Sequence, residues 1–430
     1  MLAKEDNEVL CRVGPGTPMG ELWRRFWFPA LLASELPKSD SDPVRLRLLG
    51  EDLVAFRDTN GQVGIVAANC PHRGASLFFG RNEECGLRCV YHGWKFDTAG
   101  NCVDMPNEPA ESDFKQKVKA TAYPTREAGT VIWIYMGPPE KMPADLPQLE
   151  WVTLPAGYQH VSKWFHDSNW FQGAEGEIDT SHISFLHSWM DPDRSPNPQT
   201  RAATRVATRD GAPKLTLEET RYGFRYGARR NMEDDQYYWR VTQWLLPDYS
   251  LIPSAGPSFG GRCWVPIDDE HTWAFGYQCR SDRPYTPAEI DQIMQGAAFP
   301  PRLIPGTFKP LANKTNDWLI DRELQKTGNY TGIWGVNEQD RALQEDQAMA
   351  PIMDRRKEHL ASADLAIITA RRILLRLARD LEHGIEPLAP HEAQAYAVRQ
   401  LNVFSPESAF QNLMRDQADE LVAKTVQLVP

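Results

Sequence analysis

The sequence lacks the features that mark membrane, secreted and nucleic-acid-binding proteins. Its most apolar stretch, LAIITARRILLRLA, contains three arginines, which excludes a transmembrane helix. The opening segment, MLAKEDNEVLCRVG, has no basic region followed by an apolar core, so we expect no signal peptide. The formal net charge of −11 argues against a nucleic-acid partner. We therefore predict a cytoplasmic protein that binds neither membranes nor nucleic acids.

Cysteine is scarce, with seven residues in a chain of 430, and it is unevenly distributed. We expect free thiols in a reducing compartment rather than disulfides. Three cysteines and two histidines lie within the 25 residues CPHRGASLFFGRNEECGLRCVYHGW. Cys70 with His72 and Cys89 with His92 form two mixed pairs. Cys85, between the pairs, is interpreted as a small buried hydrophobic residue.

The two mixed pairs predict a metal centre. Two thiolates and two imidazoles can hold a tetrahedral zinc ion, or a [2Fe–2S] cluster with the cysteines on one iron and the histidines on the other. Zinc fingers usually group the cysteines in one pair and the histidines in another. Here each pair contains one residue of each type and is followed by a glycine, Gly74 or Gly93. This pattern favours the cluster over zinc and over a purely structural role.

Strand, turn and helix signals divide the chain into three parts. Short β-like runs separated by turns predict a small all-β domain in the first half. A proline-rich linker over 138–151 leads to a second unit with β-rich stretches and with helical patterns over 285–300 and 340–383. The whole is predicted to be α+β. The predicted boundaries are 1–42 for an N-terminal helical segment, 43–140 for the all-β domain and 141–430 for the larger α+β domain.

The second unit contains another group of metal-ligand residues in the segment SNWFQGAEGEIDTSHISFLHSW. On a helix, Asp179 and His182 would share a face, and the helix would have to bend to bring His187 to the same place. Two imidazoles and one carboxylate that leave coordination positions open form the facial triad of oxygen-activating Fe(II). The segment therefore predicts a second metal site with two histidine ligands.

The third ligand of this site has to come from elsewhere in the chain. Asp340, in the segment NEQDRALQED, is the predicted carboxylate. A solvated helix start would also explain an aspartate there, since acidic residues favour early helix positions. Asp346 and Asp321 are the alternative ligands.

With these two sites, the chain resembles the oxygenase component of a Rieske non-haem iron oxygenase. The resemblance spans both units, from CRVGPGTPMGELWRRFW to DRRKEHLASADLAIITARRILL, and it is of the phthalate 4,5-dioxygenase type. It implies a small all-β Rieske domain followed by a catalytic domain of helix-grip type, with an antiparallel sheet and helices. It also implies two cofactors, a [2Fe–2S] Rieske cluster and a mononuclear Fe(II).

The resemblance assigns roles residue by residue. The implied ligands are Cys70, His72, Cys89 and His92 for the cluster and His182, His187 and Asp340 for the iron, with Asp179 as the bridge between the two centres. One departure is visible, because many resembling sequences read NWxxxxENxxD, whereas Gly176 stands here in place of the asparagine. This leaves open whether any side-chain amide lies beside the iron.

The resemblance also implies partners. No flavin or nicotinamide fingerprint and no plant-type C-x4-C-x2-C pattern is visible, so a separate NAD(P)H-dependent reductase must supply the electrons. The predicted docking face surrounds the cluster histidines and comprises Arg73, Arg88, Trp94 and Lys95.

Assembly follows from the same resemblance. In resembling oxygenases the cluster of one subunit serves the iron of its neighbour, and such head-to-tail contacts close into a ring. We therefore expect a homotrimer, or two stacked trimers forming a hexamer. Asp179 would join His92 of one chain to His182 of the next.

Two arginines are candidate substrate-binding residues. They lie in RYGFRYGARR and YYWRVTQWLLPDYSLIP, which read as strands. Alternation in a strand turns Arg240 away from Trp239 and Val241. An arginine in an aromatic-lined pocket can clamp a carboxylate, which is the role predicted for Arg225 and Arg240, although most strand arginines are solvated.

The predicted function is that of a terminal oxygenase that uses O2 and reductase-supplied electrons to cis-dihydroxylate a small, phthalate-like aromatic acid. One alternative is a monooxygenase that O-demethylates or hydroxylates a methoxylated or phenoxy aromatic acid, since this chemistry needs the same iron site. Another is a Rieske electron carrier with a ligand-binding domain. A carrier would have no use for His182, His187 and Asp340.

Overall fold

The computed structural model of the protein describes residues 2–109, 111–195, 201, 205–206, 209–253 and 258–424. The α-helices of these residues are α1 (Lys4–Cys11), α2 (Pro18–Trp23), α3 (Glu150–Thr153), α4 (Trp170–Ile178), α5 (Pro287–Met294), α6 (Arg322–Thr327), α7 (Val336–Glu345), α8 (Leu365–Glu382) and α9 (Phe410–Asp416). The strands are β1 (Trp27–Leu32), β2 (Val44–Leu48), β3 (Glu51–Arg57), β4 (Val63–Ala67), β5 (Arg81–Glu83), β6 (Gly86–Arg88), β7 (Lys95–Phe96), β8 (Cys102–Asp104), β9 (Ala122–Tyr123), β10 (Thr125–Ala128), β11 (Val131–Tyr135), β12 (Gln159–His166), β13 (Lys214–Thr220), β14 (Gly223–Asn231), β15 (Tyr237–Leu245), β16 (Tyr249–Leu251), β17 (Ser258–Pro266), β18 (Thr272–Arg280) and β19 (Leu401–Ser405).

The first half of the chain forms three small antiparallel sheets. Their strand orders are β2-β3-β4-β9, β5-β6-β7-β8 and β1-β11-β10. Tight turns join some consecutive strands, such as β2 and β3, where Gly50 has a φ of 80°, which glycine adopts without steric cost. The loop after β4 and the loop between β6 and β7 carry the two mixed Cys-His pairs. The β-rich first half thus presents both pairs on loops held by short strands.

An aromatic cluster joins this region to the rest of the chain. Trp133 of β11 stacks on Trp151 of α3 with ring centroids 5.5 Å apart, and Trp151 stacks on Tyr277 of β18 at 4.9 Å. All three side chains are buried in one continuous hydrophobic core. Apolar burial on this scale favours a fixed arrangement of the two regions, beyond the tethering that segment 138–151 provides.

The N-terminal helices also belong to this common core. Trp23 of α2 meets the ring of Trp170 of α4 edge to face at 5.3 Å. The indole N–H of Trp170 donates to the carbonyl of Leu10, in α1, at 3.2 Å. The N-terminal segment therefore supports α4, the helix that leads to the predicted iron site.

An eight-stranded antiparallel sheet dominates the second half, in the order β12-β18-β17-β16-β15-β14-β13, with β19 pairing with β15. Along β15 the side chains alternate as predicted. Arg240 and Thr242 line a cavity, whereas Trp239 and Val241 pack with Phe410 of α9. One face of this strand thus lines the cavity, and the other packs in the core.

Helix α4 lies directly on the sheet because it carries a glycine at the contact. A Cβ at Gly173 would lie 2.3 Å from Cε3 of Trp264 in β17, closer than two such atoms can approach. Asn169 caps the helix, its side-chain oxygen accepting from the N–H of Phe171 at 3.2 Å and its amide donating to the carbonyl of Asp269 at 2.7 Å. The Asn169 cap thus fixes the start of α4, and Gly173 allows the helix to pack closely against the sheet.

Two helical predictions require correction. The helix expected to carry both Asp179 and His182 ends at Ile178, and a short 3₁₀ turn at His182–Ser184 follows it. The helical pattern over 340–383 comprises two helices, α7 and α8, separated by short 3₁₀ turns. The α+β class, with an antiparallel sheet and helices in the larger region, is confirmed. In the described part of the chain, every helix is too short or too polar to span a membrane.

Candidate metal centres and active site

The two Cys-His loops have matching backbone geometry. The N–H of Cys70 donates to the carbonyl of Ala75 at 2.8 Å, and the N–H of Cys89 donates to that of Trp94 at 2.8 Å. Gly74 and Gly93 each close the loop by donating to the preceding cysteine carbonyl, at 2.9 and 3.0 Å, and their φ values are 73° and 81°. Only glycine adopts such values freely, which explains the glycine after each pair.

The four side chains suit a Rieske cluster. Cys70 and Cys89 are buried and adjacent, whereas the rings of His72 and His92 lie further out, with centroids 4.4 Å apart. Burial raises the pKa of the Cys70 thiol to about 11, so a metal has to displace its proton. Trp94 stacks on His72 at 4.3 Å and orients that ring. Inner thiols and outer imidazoles are the asymmetry that a Rieske cluster requires.

The second group converges in the other half of the molecule. Nε2 of His182 lies 3.1 Å from Nε2 of His187, and the two nitrogens lie 3.6 and 3.1 Å from Oδ1 of Asp340. A metal with bonds of about 2.1 Å holds neighbouring octahedral ligands about 3.0 Å apart. The three donor atoms therefore fit one face of an octahedral metal ion and leave the opposite face open.

The alternative carboxylates lie in other surroundings. Asp321 caps α6 and accepts hydrogen bonds from the N–H groups of Glu323 and Leu324 at 2.8 and 2.9 Å. Asp346 follows the end of α7 and is exposed. Asp340 is thus the carboxylate that the structure brings to the two histidines.

Each histidine has its own hydrogen-bonding partner. Nδ1 of His182 lies 3.4 Å from Oδ2 of Asp179, and Oδ1 of Asp179 accepts from the N–H of Ser181 at 2.7 Å. Nδ1 of His187 lies 2.8 Å from Oε1 of Gln339, whose amide donates to the carbonyl of Ile333 at 3.0 Å. An acceptor at Nδ1 leaves the Nε2 lone pair free for a metal. The sequence reasoning did not identify Gln339, although it directly precedes Asp340.

The electrostatics of this group favour a bound cation. Burial acts to raise the pKa of Asp340, but His187 and His182 outweigh it and hold the pKa below its usual value. Burial acts to lower the pKa of His182, yet Asp179 and Asp340 outweigh it and raise the pKa above its usual value. Two carboxylates beside two imidazoles are therefore stabilised by positive charge, which a divalent metal supplies.

A cavity of about 370 Å³ adjoins these residues. Arg240 lines it, and its Nε is buried with no hydrogen-bond partner among the described residues. Arg262 also lines it, but this guanidinium donates to both oxygens of Glu177 at 2.6 and 2.7 Å. A cavity of this size accommodates a single-ring ligand. Among the described residues that line it, Arg240 is the arginine without a carboxylate partner.

Arg225 lies elsewhere, which corrects the prediction that it binds substrate. It donates to Glu218 of the neighbouring strand at 2.9 Å on the outer face of the sheet. The next residue, Tyr226, lines the cavity instead. Side chains alternate along a strand, so Arg225 and the cavity are on opposite faces of β14.

The predicted docking face and the environment of Cys85 also require correction. Trp94 and Lys95 are buried, and Arg88 is held by Glu83 and Asp104 at 2.8 and 2.7 Å. Of the four predicted docking residues, Arg73 is the exposed one. Cys85 is half-buried at a turn with a φ of 59°, not a core residue. All seven cysteines are free, as expected.

A Rieske-type loop pair together with a two-histidine, one-carboxylate site defines an oxygenase that draws electrons from an iron–sulfur cluster. Residues 26–124 match the family model described as Rieske [2Fe-2S] domain, and residues 134–419 match the model described as LigXa C-terminal domain like. The chain belongs to the Rieske non-haem iron oxygenases, as an oxygenase component. It is an oxidoreductase that incorporates O2, with a [2Fe–2S] cluster and a mononuclear iron as cofactors and a reductase as electron source.

Named relatives place it within that family. It is 42% identical to the 3-chlorobenzoate-3,4-dioxygenase oxygenase subunit of Comamonas testosteroni, over 95% of both chains. It is 43% identical to the phthalate 4,5-dioxygenase oxygenase subunit of Pseudomonas putida, over 87% of this chain and 86% of that one. The terminal oxygenase of carbazole 1,9a-dioxygenase from Novosphingobium sp. KA1 shares the fold, with a TM-score of 0.54 at 20% identity over 87% of this chain and 98% of that one.

Proposed function

We propose that this chain is a terminal oxygenase that cis-dihydroxylates a small aromatic carboxylate. The observation that carries the proposal is the cavity, which presents His182, His187 and Asp340 together with the guanidinium of Arg240. The reaction adds both atoms of O2 to the ring and consumes two electrons and two protons. The two named relatives, a chlorobenzoate dioxygenase and a phthalate dioxygenase subunit, support this substrate class.

The ligand assignment is part of the proposal. The Rieske cluster is held by Cys70, His72, Cys89 and His92, the iron is held by His182, His187 and Asp340, and the domains span 43–140 and 141–430. When bound, the cluster supplies electrons and the iron activates O2. The matching loops and the donor separations of 3.1 to 3.6 Å support these assignments.

Arg240 holds the carboxylate of the substrate. Its Nη2 donates to the backbone carbonyl of Pro253 at 3.2 Å, and its Nε lacks a partner among the described residues. The guanidinium therefore has neither a carboxylate partner nor a full set of hydrogen bonds, and a substrate carboxylate would supply both. Glu177 neutralises Arg262 across the same cavity. Because the described lining residues include one arginine without a carboxylate partner, the cavity favours an aromatic acid with one carboxylate.

The test is turnover of a panel of aromatic carboxylates by purified protein, a reductase and NAD(P)H, scoring both diol and formaldehyde. Diol from a carboxylated substrate is expected. Arg240→Ala should raise KM for carboxylated substrates roughly 10- to 100-fold, since hydrogen bonds to charged groups contribute about 1.5–3 kcal/mol. Neutral analogues of the same shape should be affected much less. Arg225→Ala is the matched control, because its guanidinium lies outside the cavity, and it should behave as wild type.

Two results would contradict the proposal. Formaldehyde without diol would favour O-demethylation of a methoxylated acid. Equal losses for carboxylated and neutral substrates would show that Arg240 contributes packing, not charge recognition.

The active assembly is a homotrimer in which Asp179 links His92 of one chain to His182 of the next. The side chain of Asp179 is 24% exposed, so its carboxylate can reach a neighbouring chain. Large apolar side chains are exposed at both metal sites, Val90 and Tyr91 beside the cluster and Phe185 beside the iron. Exposed apolar groups of this kind mark interaction surfaces, and a contact between the two would bring the centres together.

A further inference from the structure

Gln344 shares a helix face with Asp340. The two residues are four apart on α7, and residues with this spacing lie one above the other. Both line the cavity. The backbone carbonyl of Gln344 accepts a hydrogen bond from Nε2 of Gln172, on α4, at 2.8 Å. The helix geometry that delivers the Asp340 carboxylate to the histidines therefore also delivers the Gln344 amide to the cavity.

Gly176 makes room for that amide. It lies on α4, opposite Gln344, and it also lines the cavity. A Cβ at position 176 would lie 2.1 Å from Nε2 and 3.1 Å from Cδ of Gln344. A side chain at 176 and the present position of the Gln344 amide therefore exclude each other. The glycine that replaces the expected asparagine is thus matched by an amide that enters the same space from the facing helix.

The amide oxygen of Gln344 has an unused hydrogen-bonding capacity. Oε1 is buried and finds no partner among the described residues. A buried acceptor without a donor is unfavourable, and native proteins pair such groups. The Gln344 side chain lines the cavity beside the iron site. Rotation of its amide would bring Oε1 to a donor on the bound substrate, which would then satisfy it.

We propose that Gln344 is a specificity-determining residue that accepts a hydrogen bond from a hydroxyl or amino substituent of the substrate, and that Gly176 provides the space for it. The proposal rests on the proposed function, in which Arg240 holds the carboxylate. Together the two contacts select an aromatic acid that carries a hydrogen-bond donor on its ring. A site that bonds a substrate OH or NH discriminates strongly against the analogue that lacks it.

The first test compares equilibrium binding of matched ligands in the absence of O2. Each pair consists of a hydroxy- or aminobenzoate and the methylbenzoate with the same ring position, since a methyl group has a similar size and donates no hydrogen bond. The wild-type protein should bind the donor-bearing member of at least one pair about 5- to 100-fold more tightly. Gln344→Leu should abolish this preference while retaining affinity for the methyl analogue.

Leu343→Ala, a change at an exposed residue of the same helix, is the control and should keep the preference. The proposal is overturned if the wild-type protein shows no preference for any pair. It is equally overturned if Gln344→Leu discriminates as well as wild type does.

The second test examines the steric pairing without any substrate, by thermal unfolding of holoenzyme variants. Gly176→Asn should lower the unfolding midpoint because its side chain collides with the Gln344 amide. The double variant Gly176→Asn with Gln344→Ala should recover most of the loss, and it should regain the donor preference from an amide on α4. Additive effects of the two changes would refute the pairing. The unfolding midpoints of this double-mutant cycle can be measured even if no aromatic acid is turned over. The cycle therefore separates failure of this inference from failure of the proposed function.

Discussion

At the residue scale, the two histidines assigned to the iron have chemically different supports. His182 is held by the carboxylate of Asp179, whereas His187 is held by the neutral amide of Gln339. The amide is itself fixed by the carbonyl of Ile333. Such partners set the tautomer and the direction of the ring. Gln339 is therefore a positioning residue that acts on the metal through His187.

We predict that Gln339→Leu weakens metal binding about 10- to 100-fold, the usual loss when an outer partner of a ligand is removed. The measurement is titration of Co(II) into protein that retains its cluster but lacks the mononuclear metal. Gln172→Leu is the control, because this buried amide bonds to backbone groups of Gln344 and Met353 rather than to a histidine. An unchanged Co(II) affinity in Gln339→Leu would show that His187 needs no such support.

At the element scale, α4 is anchored by a buried ion network at its C-terminal half. Glu175 accepts hydrogen bonds from Arg355, at 2.7 Å, and from Arg371, at 2.6 Å, and all three side chains are buried. Arg371 belongs to α8 and Arg355 to the segment before it. The network thus ties the helix that leads to Asp179 to the C-terminal part of the chain.

We predict that Glu175→Gln lowers the free energy of unfolding by about 3–5 kcal/mol at pH 7. It leaves the buried guanidinium of Arg355 without its carboxylate, whereas Arg371 keeps its second partner, Glu358. Urea unfolding followed by tryptophan fluorescence measures the difference. Glu8→Gln is the control, because it removes an exposed ion pair with Arg12. It should change the free energy of unfolding by less than about 0.5 kcal/mol. A similarly small effect of Glu175→Gln would mean that the network contributes little.

The same network has a defined pH dependence. Burial acts to raise the pKa of Glu175, but Arg355 and Arg371 outweigh it and hold the pKa below its usual value. A lowered carboxyl pKa stabilises the fold above the unfolded-state pKa of about 4.3, and this stabilisation is lost as the pH falls through the folded-state value. The difference in free energy of unfolding between the wild type and Glu175→Gln should therefore be constant near neutral pH and should shrink below about pH 4.

At the scale of the whole molecule, electron delivery depends on how the two metal sites meet. Asp179 contacts His182 of its own chain, and a carboxylate has capacity for a second N–H donor. In the proposed trimer that donor is His92 of the adjacent chain. The bridging role then belongs to the assembly and not to the single chain.

We predict that Asp179→Asn retains both metals and the trimer but slows reoxidation of the reduced cluster by orders of magnitude. An amide has the size of the carboxylate but no charge, and it presents a donor where an acceptor is needed. Rapid mixing of reduced protein with O2 and substrate, followed by cluster absorbance, gives the rate. Metal analysis and sedimentation velocity confirm that the variant is intact. Reoxidation at the wild-type rate, or full activity in a monomer, would exclude the route through Asp179.

The amino-acid sequence by itself determined the features that depend on neighbours along the chain. Each Cys-x-His or Cys-x-x-His pair lies in one short loop whose geometry a single glycine closes, so spacing alone pointed to the cluster. The alternation that turns Arg240 away from Trp239 is likewise local, as are the turn signals that made the first half a β-rich region. The proposed carboxylate ligand, Asp340, was predicted through the family resemblance, since no local pattern connects it to His182.

Tertiary structure alone decided the contacts between distant segments. Arg225 and Arg240 have similar sequence surroundings, and only the packing of the sheet places one outside and the other in the cavity. Arg262 is separated from Glu177 by 85 residues, yet their pairing decides which arginine can meet a substrate. Gln339 meets Nδ1 of His187, which is 152 residues away in sequence. The backbone carbonyl of Gln344 meets the side-chain amide of Gln172 on α4. Side chains far apart in sequence meet through packing of whole elements, and a linear pattern does not encode that packing locally.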